Sequence, residues 1–98
     1  YGPTETTVIA TCHVFQSTSD SPNTIGRTHN LRGLVVDAND HTKLAPIGCV
    51  GELVIQGPTL ARGYFNDDSK TSESFIEGVN ILPANLATGN PRFYKTGD

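Results

Sequence analysis

With 98 residues, the chain has room for one small domain or part of a larger one, because a chain of this length buries only about 60 to 65% of its unfolded surface. A net charge of -3 with seven scattered Lys and Arg excludes the basic footprint of nucleic-acid binding, and no apolar run approaches the ~18 residues of a membrane-spanning helix. The expected partners therefore include no nucleic acid and no membrane.

Methionine is absent, even at position 1, so the chain is expected to be a piece of a longer one. The N-terminus lacks the charged-then-apolar pattern of a signal peptide. Cys12 and Cys49 lack metal-ligand spacing and do not by themselves argue for a disulfide, so buried free thiols are expected.

In chain order, Gly2-Pro3 reads as a loop, since glycine is conformationally loose and proline has no N–H. Residues 6 to 15, TTVIATCHVF, are β-branched and aromatic and read as a strand. The loop chemistry of QSTSDSPNT follows at 16 to 24. A second strand is expected over Leu34 to Asp37, closed by the turn Ala38-Asn39-Asp40-His41. A third, residues 50 to 56, places Val50, Leu53 and Ile55 around Glu52 and ends at Gly57-Pro58.

One helix is expected, from about 67 to 75. Asn66 is its candidate cap, and Asp67 and Asp68 suit the positive end of the helix dipole. Its serines and threonines are poor helix formers, so packing of Tyr64 and Phe75 on the sheet has to stabilise it. From Ile76 to Arg92 the pattern reads as a long irregular loop. His13, His29 and His41 carry no metal spacing and read as structural, while Arg27 and Arg62 read as scaffold ion pairs or carbonyl clamps.

Both termini, YGPTE and YKTGD, are polar, turn-like and rich in ligand-binding residue types, which suits the span between two active-site loops. YGPTETT at 1–7, GELVIQGPTLARGYFND at 51–67 and RFYKTGD at 92–98 resemble three consecutive core motifs of the adenylation domains of nonribosomal peptide synthetases, in order and spacing. IGR at 25–27, VDANDHTKLAPIGCVGEL at 36–53 and KTSESFIE at 70–77 resemble the fungal branch of that family. Residues 16–24 and 78–91 are neutral. The chain departs from the family in lacking an aromatic residue near Leu34 and a proline near Asp68, positions of packing rather than chemistry.

The resemblance implies a mixed α/β, mainly β fold: the end of a core strand plus the distorted β-barrel subdomain of the N-terminal lobe of an acyl-adenylate-forming enzyme. Residues 1–98 would be part of an adenylation (AMP-binding) domain. Within it, 1–15 form an active-site loop and core strand, and 25–98 the barrel subdomain. The implied activity is ATP-dependent, AMP-forming activation of an amino acid, followed by thioester loading onto a carrier-protein phosphopantetheine. The implied cofactors are ATP/AMP, Mg²⁺ and the 4'-phosphopantetheine of a neighbouring carrier domain. The implied partners are the amino-acid substrate and the carrier-protein and condensation domains of one cytoplasmic megasynthase.

Residue by residue, the resemblance implies that Tyr1 stacks on adenine, the Gly2 carbonyl faces the substrate amino group, Thr4 offers its hydroxyl to phosphate, and Glu5 is a Mg²⁺ ligand. Val8 and Ile9 would line the side-chain pocket, and Asp98 would accept from both ribose hydroxyls. Without the resemblance, Glu5 reads as a solvated loop carboxylate, Asp98 as a turn residue, Tyr1 as a half-buried aromatic, and Thr6, Thr7, Val8 and Ile9 as strand or core residues.

Lys95 is not assigned a catalytic role, since the family's catalytic lysine lies further on. The SGTTG-type phosphate loop, the aspartate that holds the substrate amino group and the carrier serine also lie outside these residues, so no catalytic residue is assigned and the 98 residues alone are expected to be inactive. An acyl- or aryl-CoA ligase of the same superfamily and a non-catalytic β-rich binding module are the alternatives.

Overall fold

A computed structural model describes residues 1–77, 80–82 and 92–98. A short 3-10 turn, Thr4–Thr6, opens the chain. The strands β1 (Thr11–Cys12) and β2 (Arg27–Thr28) pair antiparallel, and β3 (Arg32–Val36), β4 (Glu52–Gln56), α1 (Asp68–Ser74), β5 (Phe75–Ile76) and β6 (Phe93–Lys95) follow. The last four strands form one antiparallel sheet in the order β3-β4-β6-β5. The described strands thus make an open sheet and a separate two-stranded ladder; barrel closure remains an implication of the resemblance.

Register divides the large sheet into two faces. Opposed residues of an antiparallel pair share a face, so Ile55, Tyr94 and Phe75 form one cross-strand row. The other face carries Val36, Val54 and Phe93, which pack with Ile81 and with the half-buried Leu34, Ile76 and Leu82 as the apolar core. Burial of both faces explains why LVI in β4 and FY in β6 lack polar alternation.

The expected strand over 6–15 is mostly loop. Only Thr11–Cys12 is strand, and Thr7 and Val8 have φ of 57° and 74°, a left-handed conformation costly for β-branched residues. The cause is close packing of the N-terminal loop on itself. The Tyr1 carbonyl accepts from the N–H groups of Ala10 and Thr11, both at 3.0 Å. A Cβ on Gly2 would lie 1.6 Å from the Val8 carbonyl oxygen, so only glycine admits this approach.

The strand expected at 34–37 is Arg32–Val36, and the one expected at 50–56 begins at Glu52, leaving Val50 exposed. The helix falls within the expected span, but its cap is Asp67, whose Oδ1 accepts from Lys70 N at 2.9 Å. Asn66 instead adopts φ 53° in the turn before it. Tyr64 and Phe75 pack as expected, edge to face at 6.0 Å, and Phe75 also meets Tyr94 at 5.2 Å. Ile76 belongs to β5 rather than to a loop, and most of the remaining 77–91 stretch lies outside the described residues. Cys12 and Cys49 are both exposed, correcting the expectation of buried thiols.

Candidate functional site

The two ends of the chain meet. The Tyr1 hydroxyl donates to Asp98 Oδ2 across 97 residues of sequence. Asp98 is carried by the tail of β6, which stays zipped to β4 beyond the last strand residue: Leu53 N donates to the Asp98 carbonyl at 2.9 Å, and Thr96 N and Oγ1 both donate to the Leu53 carbonyl. Gly97 N donates to Glu52 Oε1 at 3.2 Å. Glu52 thereby closes the turn ahead of Asp98, a role that only long-range pairing reveals. Burial, and then the Asp98 carboxylate that accepts its proton, push the Tyr1 phenol above its ordinary pKa.

Glu5 sits in the 3-10 turn. Tyr64 donates its hydroxyl to Glu5 Oε1 at 2.6 Å, and this hydrogen bond is the main reason that the carboxyl is held below its ordinary pKa. Tyr94, buried in β6, adds a weaker pull of the same kind on Glu5, while burial and the negative charge of Glu5 push its own phenol well up, so it stays protonated. The Glu5 backbone is held as well, by Ala61 N donating to its carbonyl at 2.7 Å. Thr7 Oγ1 donates to the Thr59 carbonyl at 2.7 Å.

Arg92, just before β6, grips the Thr59–Tyr64 segment, a strap over the N-terminal loop, from the other side. Its Nη1 and Nη2 donate to the carbonyls of Ala61 and Arg62, both at 2.6 Å. The carbonyl clamp expected at Arg62 is therefore made by Arg92 on Arg62.

Thr4 is exposed beside Glu5, and Val8 and Ile9 present 72% and 54% of their surfaces to solvent, open to a ligand or to another part of a longer chain. Thr6 is buried, bonded through its hydroxyl to the Pro3 carbonyl, and is not available to a ligand.

The donor set fits a hard cation bound largely through a ligand's own oxygens. Glu5 is an ionised carboxylate with one oxygen committed to Tyr64, and its two oxygens offer about four acceptor positions in all. Among the described residues no group of three or more His, Cys, Asp or Glu forms a cage. A single carboxylate plus phosphate oxygens is the usual Mg²⁺ arrangement in nucleotide sites.

Residues 1–65 match the family of AMP-binding enzymes. The chain belongs to that family. As an AMP-binding enzyme segment it is 46% identical over 102 residues to nonribosomal peptide synthetase 4 of Gibberella zeae, and 46% identical over 99 residues to nonribosomal peptide synthetase 1 of Aspergillus fumigatus. Both alignments include the whole chain yet span only 1% and 2% of those relatives.

Among solved structures it is similar to holo-PA1221, an NRPS protein containing adenylation and PCP domains bound to a vinylsulfonamide inhibitor. The TM-score is 0.78 at 35% identity, covering all of this chain and 16% of that one. The resemblance to adenylation domains read from the motifs is borne out, as is a mainly β fold with one helix. No helix among the described residues is long and apolar enough to cross a membrane.

Proposed function

We propose that this AMP-binding segment serves amino-acid activation in nonribosomal peptide synthesis: an amino-acid carboxylate attacks the α-phosphate of ATP, pyrophosphate leaves, and the aminoacyl adenylate is passed to a carrier-protein phosphopantetheine thiol. The observation that carries the reading is the convergence of the chain's ends, Tyr1 on Asp98, beside a turn that holds an ionised carboxylate. A nucleotide needs this combination of a flat aromatic face for the base, a carboxylate for vicinal hydroxyls, and a hard oxygen for the cation that accompanies its phosphates.

In this reading Tyr1 stacks on adenine and Asp98 exchanges the Tyr1 hydroxyl for the ribose hydroxyls. The Gly2 carbonyl meets the substrate ammonium, and the exposed Thr4 hydroxyl donates to a phosphate oxygen. Glu5 holds Mg²⁺, which when bound neutralises phosphate charge. Val8 and Ile9 supply an apolar part of the pocket wall. Residues 1–15 form the loop and strand end of the large lobe, and 25–98 its barrel subdomain, within a cytoplasmic assembly that also contains carrier and condensation domains.

ATP–pyrophosphate exchange by the full-length protein, screened over the amino acids, tests the activation step. Exchange with one or a few amino acids, followed by thioester formation on the carrier, is the expected result. Activation followed by transfer only to free coenzyme A overturns the carrier step, and absence of exchange with every acid overturns the activation itself.

A further inference from the structure

Tyr64 stands apart from every residue that the motifs assign to the nucleotide, and it is the side chain that grips Glu5. Its own position is fixed on several sides. Its ring stands edge-on to buried Phe75 at 6.0 Å, and Lys70 Nζ lies 4.3 Å from the ring centroid. Its backbone N–H donates to Thr71 Oγ1 at 2.9 Å. Gly63 immediately precedes it with φ 153°, and a Cβ there would lie 2.6 Å from Thr71 Cγ2 and 2.8 Å from Thr71 Oγ1. Glycine is what lets the strap lie against the helix at this point.

The strap from Thr59 to Tyr64 therefore reaches the N-terminal loop three times, at Thr7, at the Glu5 carbonyl and at the Glu5 carboxylate. Arg92 locks the strap's middle through the carbonyls of Ala61 and Arg62. A hydroxyl on so fixed a ring holds Glu5 Oε1 in place. Rotation of Glu5 about its side-chain bonds would break a 2.6 Å bond from a donor that cannot follow it.

We infer that Tyr64 is a positioning residue for the cation–nucleotide complex: by holding Glu5 Oε1 it fixes the direction in which Glu5 presents its remaining acceptor capacity to a divalent cation on the nucleotide phosphates. This rests on the adenylation reading above, which assigns Glu5 to the cation but gives Tyr64 no part. The consequence is specific to the cation. Hydrogen bonds to a ligating carboxylate typically tune metal affinity by about 10- to 100-fold, whereas base and ribose contacts are made elsewhere.

The test uses the full-length protein and its Tyr64→Phe variant, which keeps the ring against Phe75 and removes only the hydroxyl. Mn²⁺ binding in the presence of a β,γ-methylene ATP analogue is followed by electron paramagnetic resonance. Metal-free binding of the analogue and the thermal midpoint are recorded alongside, and Glu5→Gln serves as reference. Tyr64→Phe is expected to weaken Mn²⁺ in the nucleotide complex about 10-fold or more, with metal-free analogue affinity within about 2-fold of the unaltered protein.

Unchanged Mn²⁺ affinity in Tyr64→Phe overturns the inference alone, as does equal weakening of the metal-free analogue, which would mark a merely structural role. Mn²⁺ binding that survives Glu5→Gln removes Glu5 as the ligand and overturns the inference while leaving amino-acid activation standing. Loss of both analogue binding and pyrophosphate exchange in the unaltered protein overturns the adenylation reading and the inference with it. Should Tyr64→Phe fail to fold, Thr71→Val, which frees the Tyr64 backbone, is expected to weaken Mn²⁺ several-fold in the same assay. Unchanged affinity there overturns the inference equally.

Discussion

Glu5 and Asp67 show how one carboxylate can be held by a distant hydroxyl and another cap its own helix. Tyr64 holds the Glu5 carboxyl below its ordinary range, so the folded state binds a proton on Glu5 less readily than the unfolded chain does. Its stabilising contribution is therefore fully present above the ordinary carboxylate pKa of about 4.3 and is lost as pH falls through the lower folded value. Urea unfolding of the unaltered protein and Glu5→Gln at neutral pH and near pH 3 is expected to show the variant less stable at neutral pH and the difference shrinking in acid. A gap that widens in acid would reverse the sign of this linkage.

Asp67 acts by geometry instead, through Lys70 N. Asp67→Ala is expected to lower stability by about 1 kcal/mol, read from the urea midpoint at constant slope, and Asn66→Gly, which keeps the left-handed turn, by much less. The choice of cap was not legible in the sequence. Asn66, Asp67 and Asp68 are all competent cap types, and the left-handed turn at Asn66, seen in its φ of 53°, moves the start of the helix one residue on.

Two strands of the large sheet, β3 and β4, were legible because their burial follows from composition, whereas β5 and β6 were not. LVVD and VGELVIQ are β-branched and apolar runs bounded by turn formers, and most of each became β3 and β4. The run at 6–15 carries the same signal and became mostly loop, because β-propensity expresses fit to a neighbouring strand and the Tyr1–Gly2 backbone occupies that place instead.

Tyr64 was legible only as a packing residue: its hydroxyl finds Glu5 across 59 residues, a pairing that no local pattern encodes. Arg92 was hidden for the same reason. Arg92→Lys is expected to cost about 1 to 3 kcal/mol, since an ammonium cannot fork onto both strap carbonyls. In the core, Phe93→Ala is expected to cost about 3 to 5 kcal/mol, whereas Val35→Ala, half exposed on β3, should stay near 0.5 kcal/mol. Chemical denaturation of both variants measures the contrast, and similar losses would contradict the assignment of the core face.

The whole molecule exposes more surface than its mass requires. Its accessible area is 6820 Å², against roughly 5400 Å² for a free-standing protein of this size. Val14, Phe15, Ile47, Val50 and Phe65 are exposed apolar side chains, the last three almost completely. Such surface in an adenylation segment fits contact with the rest of a larger enzyme. The isolated chain is therefore expected to bind a hydrophobic dye and to unfold in urea over a broad range, while the same residues within the full-length protein melt sharply. A sharp two-state transition in the isolated chain, without dye binding, would favour an autonomous β module. The exposure of Cys12 and Cys49 belongs to this scale too, because burial estimated from residue type assumes that the neighbours which would cover it are present.

β6 behaves as a caliper. One jaw is Tyr94, beside the Glu5 carboxylate, and the other is Asp98, which accepts from the Tyr1 hydroxyl. Three residues lie between them, and the pairing of Ile55 with Tyr94 and of Val54 with Lys95 keeps the gauge from slipping. In the proposed adenylation reading, this spacing sets the distance between the cation end and the sugar end of the nucleotide. An insertion of one residue between Lys95 and Asp98 is expected to shift Asp98 out of register with Leu53 and Tyr1 and, in that reading, to spoil the fit to the nucleotide.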